Sequence, residues 1–198
     1  MVEHYFTPQP QSRLKKTRVT SSYHGQTLAF TCVSGVFSSE KLDSATLLLL
    51  DHLKIQKSWD VLDLGCGIGV LGISLKKAFP SITVVLTDVN QRALKTAAEN
   101  ARANDTPVEI VESDLFSALA DRQFDTIITN PPHHAGRALV YQLIEQAVGH
   151  VRSGGFLQLV ALHNKGGAML EKKMKELFGN VETLVKKGGL RVYCSRKE

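Results

Sequence analysis

Asp60-Val61-Leu62-Asp63-Leu64-Gly65-Cys66-Gly67-Ile68-Gly69-Val70-Leu71-Gly72 is the stretch whose reading decides the fold. Trp59 to Leu64 is β-branched and apolar and reads as a strand, which the glycines stop. Val70 to Phe79 reads as a helix that ends at Pro80. A strand, a glycine turn and a helix in this order form a nucleoside or phosphate loop. The glycines permit a tight turn and close approach of a ligand to the main chain. The helix start at Val70 offers free N–H groups and the positive end of the helix dipole. Gly67-Ile68-Gly69-Val70-Leu71-Gly72 also satisfies the dinucleotide pattern G-x-G-x-x-G, which leaves two ligand classes open at this point.

Outward from the loop, apolar runs alternate with helical patterns, the signature of an α/β fold with a parallel sheet. Ile82 to Thr87, Val108 to Glu112, Phe124 to Thr129 and Phe156 to Leu162 read as strands. Between them, Asn90 is placed to cap a helix running to Ala103, and Arg137 to Val151 reads as a helix with Ser153-Gly154-Gly155 as its exit turn. Gly167 to Phe178 is a further helix. Val181 to Val185 and Leu190 to Ser195 flank Lys186-Lys187-Gly188-Gly189 and should pair antiparallel. The expected core is therefore a mostly parallel seven-stranded sheet with helices on both faces. Ahead of it, Arg18 to Tyr23 and Thr27 to Val33 predict a hairpin turning at His24-Gly25, and Asp43 or Ser44 can cap a helix through Leu53. With no Pro/Gly/Ser linker, residues 1–198 are expected to form a single domain, in which 1–55 is an extension packed on a ligand-binding core of 56–198.

Composition narrows the function. Hydrophobic residues make up 43% and charged residues 22%, an ordinary globular balance. No apolar run approaches the roughly 20 residues that span a bilayer. The start Met1-Val2-Glu3-His4-Tyr5 lacks a basic segment followed by an apolar one, so a cytoplasmic location is expected. Cys32, Cys66 and Cys194 lie far apart without metal-ligand spacing, and no metal site is expected. The net charge of +5 favours a polyanionic partner. Arg13, Lys15, Lys16 and Arg18 fall in an acid-free run and are candidates for RNA phosphates. The group at Lys172, Lys173 and Lys175 is interleaved with Glu171 and Glu176 and reads as a solvated helix face.

Asp63 separates the two ligand classes. A carboxylate at the end of the first strand repels a pyrophosphate, but it suits a cofactor with a cationic amino-acid tail, whose ammonium it can face. S-adenosyl-L-methionine, with its methionine ammonium, is the cofactor expected on this reading. Asp63 can also cap the loop backbone. Asp88, followed by Val89, ends the second strand and can chelate ribose hydroxyls. Asp114, followed by Leu115, ends the third strand. It can meet an adenine amine, cap a helix over Leu115 to Leu119, or do both.

Asn130-Pro131-Pro132-His133 follows the fourth strand, on the same rim as the glycine loop. Two prolines remove two backbone donors and fix φ, so that the Asn130 and Pro131 carbonyls are rigid acceptors. An Asn carbonyl beside a main-chain carbonyl can accept both protons of one NH2 group. Such acceptance favours a pyramidal nitrogen and stabilises the charge that develops during methyl transfer. His133 can stack on a planar substrate. His133 and His134 without a third ligand make a poor metal site.

The glycine loop, Asp88, Asp114 and Asn130-Pro131-Pro132, in this order, resemble a class I methyltransferase acting on planar nitrogens. With His4-Tyr5-Phe6, Ser34-Gly35-Val36-Phe37-Ser38 and Asn130-Pro131-Pro132-His133-His134-Ala135-Gly136, nearly the whole chain resembles the small-subunit ribosomal RNA guanine-N2 methyltransferase family. The likeness is to single-domain archaeal members, similar to the catalytic half of the two-domain bacterial enzymes. It implies methyl transfer to the exocyclic amine of guanine in rRNA or tRNA. It further implies that Asp63, Gly65, Cys66, Gly67 and Gly69 hold the methionine part, that Asp88 and Val89 hold ribose, and that Asp114 and Leu115 hold adenine. Asn130 and Pro131 grip the amine, and Phe37 lines the entrance. His133 departs from the larger aromatic or apolar residue often found in related enzymes. A protein glutamine or small-molecule N-methyltransferase remains an alternative, and so does an NAD-dependent oxidoreductase. Monomer and homodimer are both open.

Overall fold

Alternating side-chain direction in the strand before the glycine loop assigns the two faces of the sheet, both of them buried. In β3 (Asp60–Leu64), Val61 belongs to one apolar core, while Leu62 and Leu64 belong to the other. The computed structural model describes residues 15–36, 41–131 and 136–198. Among them, β4 (Thr83–Asp88), β5 (Glu109–Glu112), β6 (Phe124–Thr129), β7 (Val151–Leu162), β8 (Glu182–Lys187) and β9 (Leu190–Arg196) join β3 in a seven-stranded sheet of order β5-β4-β3-β6-β7-β9-β8. The first five of these are parallel, and β9 runs antiparallel to both β7 and β8. The strand order reverses between β3 and β6, so the crevice for a ligand opens at their carboxyl ends.

One face is covered by α1 (Ser44–His52), α2 (Val70–Ala78) and α3 (Gln91–Ala103), the other by α4 (Arg137–His150) and α5 (Gly167–Phe178). Asn90 caps α3 as its sequence implies, its side-chain oxygen accepting the Ala93 N–H at 3.1 Å. The Gly188-Gly189 turn has φ of 56° and 82°, the left-handed pair that a two-residue hairpin requires.

Two expectations are corrected. Ser153-Gly154-Gly155 is not a turn between helix and strand. β7 begins at Val151, opposite Phe124, and Arg152 to Gly155 bulge out before pairing resumes at Phe156 opposite Thr126. Arg152 uses the bulge to bridge Asp60 and Asp125, each at 2.7 Å. Leu115 to Leu119 is not helical. Leu115 has φ of 49°, and the Ser113 hydroxyl, rather than the Asp114 carboxylate, takes the local Ala118 N–H at 3.1 Å.

The hairpin of β1 (Lys16–Tyr23) and β2 (Gln26–Val33) docks through two asparagines on α3 and at its end. Asn104 accepts from Ala29 N and donates to Ala29 O, at 2.9 and 2.8 Å. One helical turn earlier, Asn100 does the same with Thr31, at 2.8 and 3.2 Å. Both asparagines are buried, and between them they satisfy the β2 edge that β1 leaves open. Asn100 also donates to Ile68 O at 3.0 Å, which ties the hairpin to the glycine loop.

Gly72 sets how closely α2 lies on the sheet. A Cβ there would sit 2.2 Å from Leu86 Cδ2 and 2.9 Å from Val84 Cγ1. Gly72→Ala should therefore lift the start of α2 and cost about 1–3 kcal/mol, the usual range for overpacking. A fall in the urea midpoint is the expected readout, and an unchanged midpoint would refute this account of the packing.

Candidate active site

Strand alternation brings three polar side chains to the carboxyl rim on the α1–α2 side. Asp63 shares a face with Val61, and Asp88 shares one with Val84 and Leu86. Asn130 continues the face of Ile128 one residue beyond β6.

Asp63 is 1% exposed, and its Oδ2 accepts the Gly72 N–H at 2.9 Å. Besides capping the loop backbone in this way, Asp63 lines a pocket with Leu42, Asp43, Gly65, Cys66 and Asn130. Burial pushes its carboxyl up to about 7 from 3.8; the Gly72 N–H opposes that rise and the charge of Asp88 adds to it. A buried carboxylate without a cationic partner is costly, so this pocket favours a cation.

Asp88 holds the loop. Its Oδ2 accepts the Gly67 N–H and its Oδ1 the Asn90 N–H, each at 2.9 Å. Burial raises its pKa, against the lowering effect of these backbone donors. Asp88 and Val89 line a second pocket with Leu64, Gly65, Ser113, Asp114, Leu115 and Thr129. The Asp114 side chain is exposed and takes no hydrogen bond from the described residues, which leaves it available to a ligand amine. Leu139, Val140 and Leu143 supply an apolar wall. Sequence reasoning missed that wall, because helix α4 is far away in the chain.

The glycines divide their roles. Gly65 lies in both pockets and has φ of 70°, and a Cβ placed on it would meet nothing within 4 Å. Gly67 is equally open, with φ of 55°. Gly69 lines neither pocket. Its Cβ would meet Ile73 Cδ1 at 2.7 Å and Ala97 Cβ at 3.3 Å, so it serves the packing of α2 on α3. Cys66 lines the first pocket, and burial holds its thiol well above the ordinary value.

Asn130 is fixed in one orientation. Its Nδ2 donates to Asp43 Oδ2 and to Thr46 Oγ1, each at 2.9 Å. A flipped amide would set two acceptors against each other at Asp43. The carbonyl Oδ1 is thereby left over. It is buried and has no partner among the described residues. Pro131 is buried beside it and lines a third pocket with Arg137, Val140, Lys165 and the first residues of α5. That lining contains two cations and no acid. Shared residues, Gly65 and then Val140, run the three pockets into one trough. Pro132, His133, Phe37 and Arg13 lie outside the described residues.

The acid-free run in the chain is not acid-free in space. Lys16 pairs with Glu99 at 2.8 Å, an exposed contact worth well under about 1 kcal/mol and open to exchange for phosphate. Lys15 and Arg18 are exposed or nearly so and have no ion pair among the described residues. On α5, Lys172 and Lys175 are exposed, as a solvated face requires, whereas Lys173 is largely covered and pairs with Glu145 of α4 at 2.7 Å.

The methyltransferase small domain family model matches residues 27–194. A Bacillus subtilis protein designated uncharacterized protein YbxB is 35% identical over 200 residues, covering all of both chains. Ribosomal RNA small subunit methyltransferase C of Hamiltonella defensa is 39% identical over 80% of this chain and 47% of its own length. The chain thus spans about half the length of the curated methyltransferase C relatives it matches. A T. thermophilus 16S rRNA N2 methyltransferase, solved in complex with AdoMet and guanosine, superposes with a TM-score of 0.82 at 28% identity, over 96% of this chain and 52% of that one.

The cation-seeking Asp63 pocket, the open backbone at Gly65 and Gly67 and the available Asp114 carboxylate fit S-adenosyl-L-methionine, the cofactor of this enzyme class. Asp63 has a pH consequence. Its folded pKa of about 7 exceeds the ordinary 3.8, so between those values the folded chain holds a proton that the unfolded chain has lost. Stability from this group is full below about pH 4 and is lost as pH rises through 7. Asp63→Asn, which keeps an acceptor for Gly72, should raise Tm by several degrees at pH 8 but not at pH 4. It should also weaken cofactor binding by about tenfold or more. A variant that binds the cofactor as the parent does would remove Asp63 from the site.

Proposed function

The chain belongs to the methyltransferase small domain family and is an S-adenosylmethionine-dependent methyltransferase, and we propose that it methylates the exocyclic N2 amine of guanine in ribosomal RNA. The observation that carries the proposal is the orphaned Asn130 Oδ1. A buried acceptor without a donor costs about 1–3 kcal/mol, and a substrate N–H restores that amount on arrival. An amino group would bring two donors, one for Oδ1 and one for the neighbouring Pro131 carbonyl, whereas a hydroxyl would bring one. The matched methyltransferase C relatives support ribosomal RNA as the substrate, and the N2 activity and guanosine of the T. thermophilus complex support guanine as the bearer of the amine.

The cofactor, when bound, supplies a methyl group activated by a positive sulfur. The residues of the chain do the rest. Asp63 and the Gly65–Gly67 backbone would hold the cofactor's amino-acid end, Asp88 and Val89 its ribose, and Asp114 and Leu115 its adenine. Asn130 Oδ1 would accept a hydrogen bond from the target amine and so turn the nitrogen lone pair away from conjugation with the ring. Its acceptance strengthens as positive charge grows on that nitrogen, which is when it lowers the barrier. No base is required at the amine, because the methylated product is acidic enough to lose its proton to water. Arg137 and Lys165 line the substrate side and, with Lys15, Lys16 and Arg18, would contact the RNA phosphates.

Labelled methyl transfer to unmodified rRNA, followed by digestion to nucleosides, should yield N2-methylguanosine. Label in a glutamine-bearing peptide but not in RNA would overturn the proposal. Asn130→Ala should lower kcat by about a hundredfold or more while cofactor affinity changes little. Asp88→Ala should mainly weaken the cofactor. Arg137→Glu with Lys165→Glu should raise KM for RNA and flatten its dependence on salt.

A further inference from the structure

We propose that Asp43, the N-cap of α1, is a positioning residue for the methyl-transfer step, acting through Asn130. The inference rests on the reading of Asn130 as the acceptor of the target amine.

One oxygen of Asp43 gathers three donors. Its Oδ2 accepts the Thr46 N–H at 2.8 Å, the Thr46 hydroxyl at 3.1 Å and the Asn130 Nδ2 at 2.9 Å. An N-cap needs only the first of these. The second turns the Thr46 hydroxyl so that its oxygen accepts the other Asn130 proton, at 2.9 Å. Both protons of the Asn130 amide are thus consumed by a carboxylate and by a hydroxyl that the carboxylate orients. An amide whose NH2 donates to an anion is polarised towards its carbonyl, so Oδ1 becomes the stronger acceptor. The contact spans 87 residues of sequence, which makes the extension before β3 part of the site rather than a covering. Asp43 and Thr46 also line the Asp63 pocket, so the amide is fixed at the cofactor boundary, where the amine must arrive.

Asp43→Ser separates the two roles. Serine is as good an N-cap as aspartate, but its short side chain cannot take the Thr46 N–H and also hold Asn130. Asp43→Asn keeps an oxygen in place for both. On an unmethylated small-subunit rRNA transcript, Asp43→Ser should lose about tenfold or more in kcat, the scale of a misplaced reacting group. Its affinity for S-adenosylhomocysteine should stay within about twofold and its Tm within a few degrees of the parent. Asp43→Asn should recover most of the lost kcat. In the substrate-free protein, the Asn130 side-chain NH2 resonances, identified by their loss in Asn130→Asp, should shift and exchange faster in Asp43→Ser. An unchanged kcat and unchanged NH2 resonances in Asp43→Ser would reduce Asp43 to a helix cap. A parallel loss of S-adenosylhomocysteine affinity would make it a cofactor ligand instead and overturn the assignment. If the parent enzyme does not methylate the transcript, the guanine reading fails, and the NH2 resonances still decide whether Asp43 anchors Asn130.

Discussion

The geometry of the rim depends on how near α2 stands to the sheet. Gly72 removes the Cβ that would collide with Leu86 and Val84, and the N–H of Gly72 bonds the Asp63 carboxylate. The two facts belong together, because a helix further out would leave Asp63 buried without a donor. Such a group would protonate or unfold the strand end. The close approach also brings the glycine loop over β4, where Asp88 accepts from Gly67 and Cys66 donates to Thr87 O at 2.8 Å. The loop is thus held open by bonds on its underside, and its upper backbone faces the trough.

The same logic explains why the N-terminal extension cannot be separated from the chemistry. It meets the core by polar contacts at fixed points as well as by apolar burial. Asn100 links β2 to Ile68 of the glycine loop, and Asp43 links α1 to Asn130. Asn90, the cap of α3 next to Asp88, donates to Gly35 O at 3.0 Å. Each of the three contacts ends on, or beside, a residue of the rim. Buried bonds of this kind specify one arrangement because a shifted hairpin would strand their donors.

The fold is legible in the sequence because its signals are local. The strand–glycine–helix stretch, the Asn90 cap and the Gly188-Gly189 turn depend on neighbours in the chain. Periodicity and turn chemistry report such neighbours directly. The Arg152–Gly155 bulge is not legible. Its reason is a distant pair of acids, Asp60 and Asp125, and a helix exit and a bulge use the same Ser-Gly-Gly composition. The site divides in the same way. Asp63, Asp88 and Asn130 announce themselves at strand ends. Gly69 resembles a ligand contact because the motif does not distinguish a glycine kept for the ligand from one kept for packing. Asp43 announces only a helix start, and its second function exists only where the fold brings Asn130, 87 positions further along the chain, back to it. The shared face of Lys16 and Glu99 is hidden for the same reason.

Charge placement completes the account of why this rim would suit the proposed methyl transfer to a neutral amine. Asp63 and Asp88 are buried, and their own repulsion helps to raise Asp63. A bound cation would relieve that repulsion and favour the charged carboxylates. At the reacting end no titratable group of the described residues stands within the Asn130 contacts except Asp43, which is already engaged by three donors. The acceptor offered to the nitrogen is therefore a neutral amide oxygen, which stabilises positive charge without taking a proton. Such surroundings leave the neutral amine unaltered in the ground state and become favourable only as its charge develops. Differential stabilisation is what a catalyst of this reaction requires, and here it arises from an amide whose donors have been spent elsewhere.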